Sequence, residues 1–260
     1  MKITVVIPTY NERENLADLV AHLVALPIPV HIAVVDDNSP DGTGDLADDL
    51  AARDGRVRVI HRPGKLGLGT AYVAGFKQAL ADGAERVVTM DADFSHHPRY
   101  VPAVASLTEQ YHLGIGSRYV PGGGVTANWG IHRKFLSWGA NRFARLMLGL
   151  KAQDCTAGFR CYRREVLQSI DLDHIFSNGY SFLIEMLYRC QHMGYSIGET
   201  PITFENRHYG SSKISQAEIY KAMVTVLRLS AGRLAWGRRR DLPMPLSLSQ
   251  EAGRAPESDL

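Results

Sequence analysis

The sequence predicts an α/β protein built on a doubly wound, mostly parallel sheet. Five short runs rich in β-branched and other apolar residues recur within the first 120 residues. Such runs are typical of strands that are buried on both faces. Segments with apolar residues at helical spacing lie between these runs. Strands that alternate with helices favour a parallel sheet with right-handed connections.

The boundaries of the predicted elements follow from these patterns and from turn residues. Asn11 and Glu14, three residues apart, fit a capping box that begins the first helix. After residue 120 the alternation weakens, and residues 121–124 (PGGG) are expected to form a mobile loop. A short strand is expected within residues 154–163, and a further strand over residues 197–204. The five main strands are predicted at residues 2–8, 31–37, 56–62, 86–92 and 113–119, and the principal later helices at residues 70–80, 133–148, 180–192 and 216–240.

The composition limits the classes of function. Hydrophobic residues make up 45% and charged residues 22% of the 260 residues, as in a typical globular protein. The net charge of +2 gives no reason to expect nucleic acid as a partner. Cys155, Cys161 and Cys190 lack C-x-x-C spacing, so they are expected to be reduced, buried and inert. No signal-peptide pattern is present, and no apolar stretch approaches the ~18 residues of a membrane span.

The chain is expected to divide into a globular domain and a C-terminal tail. Residues 1–236 are expected to form one globular domain, and residues 237–260 a basic, Pro- and Ser-rich, disordered tail. The helix before the tail is predicted to be amphipathic and basic. Its half over residues 217–227 is expected to pack in the core, and its far end, with Trp236 beside arginines, to meet a membrane surface. The predicted apolar face consists of Ala217, Tyr220, Val224, Leu227, Ala231 and Leu234.

Polar residues follow three of the predicted strands. They are Pro8 to Tyr10, Asp36–Asp37 and Asp91 to Asp93, and ligands bind at the carboxyl ends of parallel strands. In an extended segment Asp91 and Asp93 would point to the same side. Their hard oxygen ligands suit Mg²⁺ or Mn²⁺ with a diphosphate. The D-x-D pattern alone favours a solvated acidic turn, but the three polar strand ends together favour the metal site.

Seven motifs resemble one known family. VIPTYNERENL, VVDDNSPDGT, GKLGLGTAY, MDADFSHHP, GSRYVPGGG, TAGFRCYRREVL and NRHYGSSK occur in this order. From about Lys2 to about Ser230 the chain resembles the polyprenyl- and dolichyl-phosphate mannose synthases, which belong to glycosyltransferase family 2 and have the GT-A fold. The resemblance implies metal-dependent transfer of mannose from GDP-mannose to a polyprenyl phosphate, with inversion at the anomeric carbon. The cysteines and the basic C-terminal helix predict a cytoplasmic enzyme that works peripherally at the membrane surface or on a separate membrane anchor protein.

The resemblance assigns a donor site. Asp37 is expected to accept hydrogen bonds from the guanine edge, although with Asn38 it also fits a simple turn. Asp91 and Asp93 are expected to hold the metal and to be catalytic, with Ser95 as a weaker ligand candidate. Arg207 and Lys213 suit the diphosphate. The expected donor-binding residues are Pro8, Tyr10, Glu12, Asp37, Asp91, Ala92, Asp93, Arg207 and Lys213.

The acceptor requires cationic groups, because a lipid phosphate is already largely ionised near neutral pH. Arg118, at a strand end, and Arg133 are expected to bind this phosphate and to be catalytic. Ser137 lies one helical turn after Arg133 and is assigned to the same phosphate. Asp154 is expected to orient the acceptor.

Two histidines beside the acidic pair and three alternative functions fit the sequence less well. His96 and His97 are expected to support the acidic pair by packing or from a second layer, rather than to bind metal. A Rossmann dehydrogenase requires a G-x-G-x-x-G fingerprint after the first strand, which IPTYN lacks. A non-catalytic nucleotide-binding scaffold is disfavoured by the two aspartates and the basic loop. Transfer of glucose or another sugar from a different nucleotide remains the alternative.

Overall fold

The strands come from a computed structural model that describes residues 1–126, 131–205 and 216–236; the side chains of residues 131–135, 216–219 and 232–236 lie outside the description. Each of the five main predicted strands is present, with ends that differ from the prediction by at most three residues. The strands of the described chain are β1 (Ile3–Thr9), β2 (Val30–Asp36), β3 (Val57–His61), β4 (Arg86–Thr89), β5 (Leu113–Ser117), β6 (Gly124–Val125), β7 (Arg160–Arg163), β8 (Ile197–Pro201) and β9 (Thr203–Phe204).

The helices also follow the predicted order. Short 3₁₀ turns at Pro98–Tyr100, Leu107–Glu109 and Leu172–His174 accompany them. The helices of the described chain are α1 (Arg13–Val24), α2 (Thr43–Arg53), α3 (Leu68–Ala81), α4 (Val101–Ser106), α5 (Ile131–Leu148), α6 (Arg164–Ser169), α7 (Ser181–His192) and α8 (Gln216–Trp236).

The central sheet has seven strands in the order β3-β2-β1-β4-β7-β5-β8. All neighbouring pairs are parallel except those of β7, which runs antiparallel to both β4 and β5. The predicted doubly wound, mostly parallel sheet is therefore confirmed. The antiparallel insertion was not predicted, because the pattern of four apolar and polar residues in β7 does not encode direction.

Helices cover both faces of the sheet. On one face Val6 and Val35 pack with Tyr72 and Phe76 of α3, and on the other face the core includes the apolar side of α1. At Gly75 the approach is so close that an added Cβ would stand 2.2 Å from Val6 Cγ1. The backbone of α3 thus lies directly on β1, and this contact sets the position of the loop before α3.

Several local predictions were wrong. No side-chain capping hydrogen bond forms at the start of α1, because Glu12 is the N-cap and Asn11 adopts a positive φ of 57°. The strand predicted over residues 197–204 is divided into β8 and β9. Part of the loop predicted over residues 121–124 pairs with β9 as β6. Strand β4 ends at Thr89, so Asp91 is outside the strand.

The prediction for α8 was only partly correct. The helix is present, and Val226 and Leu229 are buried in the core. Tyr220, Val224 and Leu227 are exposed, so the expectation that this face of the first half packs in the core was wrong. Residues 238–240 and the predicted tail lie outside the described residues. No helix within the description is long and apolar enough to span a membrane.

The cysteine prediction is confirmed. Cys155, Cys161 and Cys190 are free and buried. Burial raises the pKa of each of the three thiols to about 12. Since the thiolate is the reactive form, these side chains are chemically inert near neutral pH.

The close contact at Gly75 is open to test. We expect Gly75→Ala to lower the free energy of unfolding by about 1–3 kcal/mol, because the new methyl group overpacks the contact with Val6. Gly139→Ala in α5 is the matched control, since a Cβ there meets nothing within 4 Å. The control is expected to be neutral or to gain up to about 1 kcal/mol of stability. Urea unfolding measures both, and an unchanged midpoint for Gly75→Ala would contradict the contact.

Candidate active site

The three polar strand ends lie side by side at one edge of the sheet. Strand β1 pairs in parallel with β2 and with β4, with Thr9 opposite Asp36 and Val6 opposite Thr89. The segments that follow Thr9, Asp36 and Thr89 therefore leave the sheet as neighbours. Strand β5 ends at Ser117 in the same direction, which adds Arg118 to this edge. The edge that was expected to bind ligand is thus assembled as predicted.

Asp37, just after β2, forms a buried ion pair with Arg62. Arg62 Nη1 lies 2.8 Å from Asp37 Oδ1, and both side chains are less than 10% exposed. Neither of these two atoms has a hydrogen-bond partner of acceptable geometry within the described chain. Burial raises the pKa of Asp37 above its usual value, although the Arg62 charge acts in the opposite direction. The ion pair therefore fixes the position of the Asp37 carboxylate at this end of β2.

Tyr10 lies after β1, close to a second cation. Lys65 Nζ stands 4.2 Å from the centre of the Tyr10 ring, a distance that allows cation–π attraction. Lys65 belongs to the loop that joins β3 to α3. Asn178 fastens this loop, since its Nδ2 donates to Leu66 O and its Oδ1 accepts from the N–H of Gly69. Tyr10 and Lys65 thus stand at the same pocket as Asp37.

The residues next to this pocket shape its turns. Asp36 accepts hydrogen bonds from Thr9 Oγ1 and from the N–H and hydroxyl of Ser39. Glu12 is the N-cap residue of α1, and its carboxylate accepts from Asn15 Nδ2 at 2.9 Å. Glu12 therefore has a structural role in the first turn of α1. The assignments of Glu12 and Pro8 to donor binding remain predictions.

The acidic pair lies in a bent loop rather than on a strand. Asp93 is 3% exposed, and its Oδ1 accepts from the N–H of Ser95 at 3.0 Å. Phe94, between Asp93 and Ser95, adopts a positive φ of 62°. The hydroxyl of the buried Tyr72 approaches Asp91 Oδ1 at 3.4 Å. The extended geometry from which the side-by-side carboxylates were inferred is therefore absent, and a turn holds the two residues instead.

This donor set fits a divalent metal bound together with a diphosphate. No group of three or more potential ligands among His, Cys, Asp and Glu is found within the described residues. Mg²⁺ commonly takes one or two carboxylates and completes its shell with phosphate oxygens and water. Asp91 and Asp93 supply that number of carboxylates, and Asp91 retains a side-chain exposure of 29% through which a ligand can approach.

The two histidines support this loop, as predicted. His96 is buried, stacks on Phe159 and accepts from the N–H of Asp91 at Nδ1. Its Nδ1 is 3.7 Å from Asp91 Oδ2. His97 caps the 3₁₀ turn that begins at Pro98 by accepting from the N–H of Arg99. Both rings therefore fix the backbone around the acidic pair.

The chain enters the predicted basic loop beside the acidic pair. The N–H of Glu205 donates to Ser95 O at 3.2 Å, and Arg99 Nη2 contacts Glu205 Oε1 at 2.7 Å. Arg207 and Lys213 lie outside the described residues. Glu205, the last described residue before the predicted basic loop, therefore lies beside Ser95, which is two residues from Asp93.

Arg118 and Asp154 form a buried fork at the end of β5. Arg118 Nε and Nη2 each lie 2.7 Å from a different oxygen of Asp154, and the N–H of Arg118 also donates to Asp154. The side chains are 9% and 0% exposed. Burial alone would raise the pKa of Asp154, but the charge and hydrogen bonds of Arg118 outweigh burial and lower it. Nη1 of Arg118 lies outside this fork.

A hydrogen-bonded chain joins the fork to α5. Arg118 Nη2 also donates to Thr156 Oγ1, which accepts from Asn141 Nδ2 at 3.1 Å. Ser137 Oγ accepts from the Tyr119 hydroxyl at 2.8 Å. Arg118 and Ser137 are thus brought to adjacent parts of one region, as predicted. The side chain of Arg133 lies outside the description.

Sequence reasoning missed four residues that line these two regions. Arg62, Lys65, Asn141 and Thr156 contact the residues that were assigned to donor and acceptor. Arg62 ends the strand-like run of residues 56–62. It is therefore expected at the same edge of the sheet as the polar ends of the other parallel strands, and this position could have identified it. Asn141 lies one turn after Ser137 in α5, and its position on the same helix face is the corresponding signal.

Solved structures with the same fold include two enzymes that act on phosphoglycerate. Mannosyl-3-phosphoglycerate synthase from Rubrobacter xylanophilus matches with a TM-score of 0.66 and 18% identity, over 93% of this chain and 77% of that one. Glucosyl-3-phosphoglycerate synthase from Mycobacterium tuberculosis, in complex with Mn²⁺, UDP and glucosyl-3-phosphoglycerate, gives a TM-score of 0.62 with 20% identity, over 88% and 80% of the two chains. At such identities the likeness shows the fold alone, and it confirms the expected GT-A fold.

Relatives in sequence are much closer. Polyprenol monophosphomannose synthase of Mycolicibacterium smegmatis is 50% identical over 224 residues, which cover 85% of this chain and 84% of the relative. Undecaprenyl-phosphate mannosyltransferase of Micrococcus luteus is 46% identical over 228 residues, covering 88% and 93%. The glycosyl transferase family 2 model matches residues 4–171, a segment that contains Asp37, Asp91, Asp93, Arg118 and Asp154. The chain belongs to glycosyl transferase family 2.

Proposed function

We propose that the protein transfers mannose from GDP-mannose to a polyprenyl phosphate of the dolichyl type, with inversion at the anomeric carbon. The observation that carries the proposal is the placement of the Asp91–Asp93 loop between two arginine–carboxylate pairs. The Asp37–Arg62 pair lies on the β2 side, and the Arg118–Asp154 pair lies on the β5 side. The names of the two relatives support mannose and a lipid phosphate as substrates.

The pocket of Asp37 suits a guanine base. A carboxylate accepts from the N1–H and the 2-amino group of guanine, and an arginine donates to O6 or N7. Arg62 Nη1 lies 2.8 Å from Asp37 Oδ1, so we propose that Arg62 holds the carboxylate in place while Asp37 accepts from the base. Tyr10 offers its ring for stacking, and Lys65 Nζ stands 4.2 Å from the centre of that ring.

The metal proposal concerns Asp91 and Asp93 together. When bound, Mg²⁺ or Mn²⁺ would neutralise charge on the diphosphate and so stabilise GDP as the leaving group. Asp93 is held by the Ser95 N–H, and Asp91 by its contacts with Tyr72 and His96. Ala92 completes this loop. We assign Arg207 and Lys213 to the diphosphate.

The acceptor phosphate is proposed to bind beside α5. Its oxygen is ionised near neutral pH and attacks the sugar without a strong base. Asp154 is committed to Arg118 by a two-point fork, so we propose that it positions Arg118 rather than removing a proton. Arg118 then presents Nη1 to the phosphate, together with Arg133 and Ser137. A dianion beside a diphosphate sugar requires such cationic neutralisation.

The proposed site of action is the cytoplasmic face of a membrane, because the acceptor is a lipid. The chain would associate peripherally, directly with the surface or through a membrane anchor protein. Glucose or another sugar from a different nucleotide is the alternative donor. The guanine-compatible Asp37–Arg62 pair favours GDP-mannose over it.

A transfer assay tests this proposal. Purified protein incubated with labelled GDP-mannose, polyprenyl phosphate and Mg²⁺ should form a charged mannolipid, and EDTA should stop the reaction until Mg²⁺ or Mn²⁺ is restored. Asp93→Asn should reduce turnover by at least about a hundredfold, since a ligand is lost at the leaving group. Equal product from UDP-glucose, or full activity of Asp93→Asn in chelator, would overturn the assignment.

Base recognition is tested by binding without catalysis. Asp37→Asn should weaken GDP binding by about tenfold or more, because a hydrogen bond to a charged group contributes about 1.5–3 kcal/mol. The preference of the wild type for GDP over IDP, which lacks the 2-amino group, should shrink in the variant. Asp171→Asn is the matched control, since Asp171 is exposed and pairs with His174 in the turn after α6. Calorimetry that shows equal GDP affinity in Asp37→Asn and wild type would contradict the role.

The Arg118–Asp154 fork predicts a stability effect that must be separated from catalysis. Arg118→Ala should lower the free energy of unfolding by about 3–5 kcal/mol, because Asp154 would remain buried and unpaired. The double variant Arg118→Met with Asp154→Leu should recover most of the stability and still fail to transfer mannose. Because folding lowers the pKa of Asp154, the wild type should lose stability relative to the double variant as the pH falls through that pKa. Full transfer by a folded double variant would remove Arg118 from the acceptor site.

A further inference from the structure

The loop that joins β3 to α3 is tied to the Asp37–Arg62 pair. Arg62 Nη2 donates to Thr70 Oγ1 at 2.6 Å, and this hydroxyl lies 3.1 Å from Leu66 O. Burial raises the pKa of Asp37, whereas the charge of Arg62, a hydrogen bond from the backbone of Leu66 and the charge of Lys65 lower it. The conformation of this loop therefore decides what surrounds the carboxylate that is proposed to bind the base.

This loop has little rigidity of its own. We call residues 62–67 the Lys65 loop. It contains Gly64 and Gly67, and Gly67 adopts a positive φ of 102°. Lys65 and Leu66 between the two glycines are exposed. Because glycine loses more backbone freedom than other residues when a chain becomes ordered, an ordered Lys65 loop depends on contacts from outside it.

Asn178 provides such contacts, although it lies 112 residues after Leu66 in the chain. Its Nδ2 donates to Leu66 O at 3.1 Å, and its Oδ1 accepts from the N–H of Gly69 at 3.2 Å. An added Cβ at Gly67 would stand 2.3 Å from Asn178 Nδ2, so the amide group lies directly on the loop backbone. One side chain thus bridges the end of the Lys65 loop and the first turn of α3.

The start of α7 holds Asn178 in place. Ser181 Oγ donates to Asn178 O at 2.6 Å. One residue earlier, the N–H and the hydroxyl of Ser177 both donate to Oε2 of Glu185, whose side chain is 0% exposed. The other oxygen of Glu185 accepts from Nε and Nη2 of Arg189. A buried carboxylate with both oxygens bonded therefore anchors the segment that carries Asn178.

We propose that Asn178 is a positioning residue for the donor nucleotide: it holds the Lys65 loop in the conformation that keeps Lys65 beside Tyr10 and the loop backbone beside Asp37. The inference rests on the proposed function, since Asp37 and Tyr10 are the residues proposed to bind the base. Asn178 need not touch the nucleotide. A loop that already has its bound conformation loses less entropy when the ligand binds, and this preorganisation strengthens binding.

The variant Asn178→Ala tests this role, and the chain offers a matched control. Asn178 is exposed, so its truncation leaves the core intact and the variant is expected to fold. Gln191→Ala is the control, because the Gln191 amide likewise bridges two backbone groups. Its Nε2 donates to Gly149 O and its Oε1 accepts from the N–H of Lys151, each at 2.8 Å. The control therefore removes the same kind of bridge at the other end of α7.

Limited trypsin digestion of the nucleotide-free protein measures the order of the loop. Lys65 is an exposed cleavage site within it, and the rate of cleavage follows the population of locally open conformations. Asn178→Ala should raise the rate of cleavage after Lys65 by about tenfold, because the loop loses two hydrogen bonds that hold it closed. Gln191→Ala should be cleaved after Lys65 at the wild-type rate.

Calorimetry and transfer kinetics measure the effect on the donor. Asn178→Ala should weaken GDP binding by about tenfold, whereas Gln191→Ala should bind GDP like the wild type. The KM for GDP-mannose should rise by the same factor, while kcat and the KM for polyprenyl phosphate stay unchanged, since only donor binding is affected. In the double variant with Lys65→Ala the loss of GDP affinity should be smaller than the product of the two single losses, because both act through one loop.

The outcomes separate this inference from the proposed function. Unchanged GDP affinity in Asn178→Ala, or weaker affinity without faster cleavage after Lys65, would overturn the positioning role. A wild type that binds UDP and not GDP would overturn the proposed donor. The same comparison of Asn178→Ala with Gln191→Ala, made with UDP, would then decide the role of Asn178.

Discussion

The buried fork between Arg118 and Asp154 is the interaction on which the acceptor side of the molecule depends. Two ions without exposure to water are stable only when each satisfies the other. Asp154 meets this condition with both carboxylate oxygens and Arg118 with Nε and Nη2. The fork joins the end of β5 to the segment before β7, and Thr156 and Asn141 carry the connection to α5. One ion pair therefore fixes the end of β5 relative to α5, the helix that carries Ser137.

A second buried arginine, Arg160, holds the turn that runs from Asp154 to β7. Arg160 is fully buried in β7 and donates to the carbonyls of Ala157, Leu183 and Cys155. These bonds hold the turn between Asp154 and β7 in one conformation. The antiparallel course of β7 then places this turn beside β4 and β5, at the edge where Asp91 and Arg118 leave the sheet. The unusual strand is therefore what brings the acceptor residues next to the donor residues.

Local patterns were sufficient to predict the parallel strands and the meeting of their polar ends. The same patterns failed where a contact distant in sequence decides the outcome. The direction of β7 depends on its two neighbours, and Asn11 takes a left-handed conformation instead of capping α1. Arg62 was missed because its partner Asp37 is 25 residues away in the chain. For α8, apolar periodicity identified the helix, but periodicity does not distinguish a side that meets the core from one that meets solvent, and Tyr220, Val224 and Leu227 are exposed.

The proposed reaction is a direct displacement in which the acceptor phosphate attacks a mannose held by its diphosphate. No step requires a protein nucleophile, and Asp154 is committed to Arg118. The most direct test is the anomeric configuration of the mannolipid, measured by NMR as the one-bond coupling between C1 and H1 of the transferred sugar. GDP-α-mannose should give a β-linked mannosyl phosphate. An α-linked product would contradict the direct displacement and require a covalent intermediate on the protein.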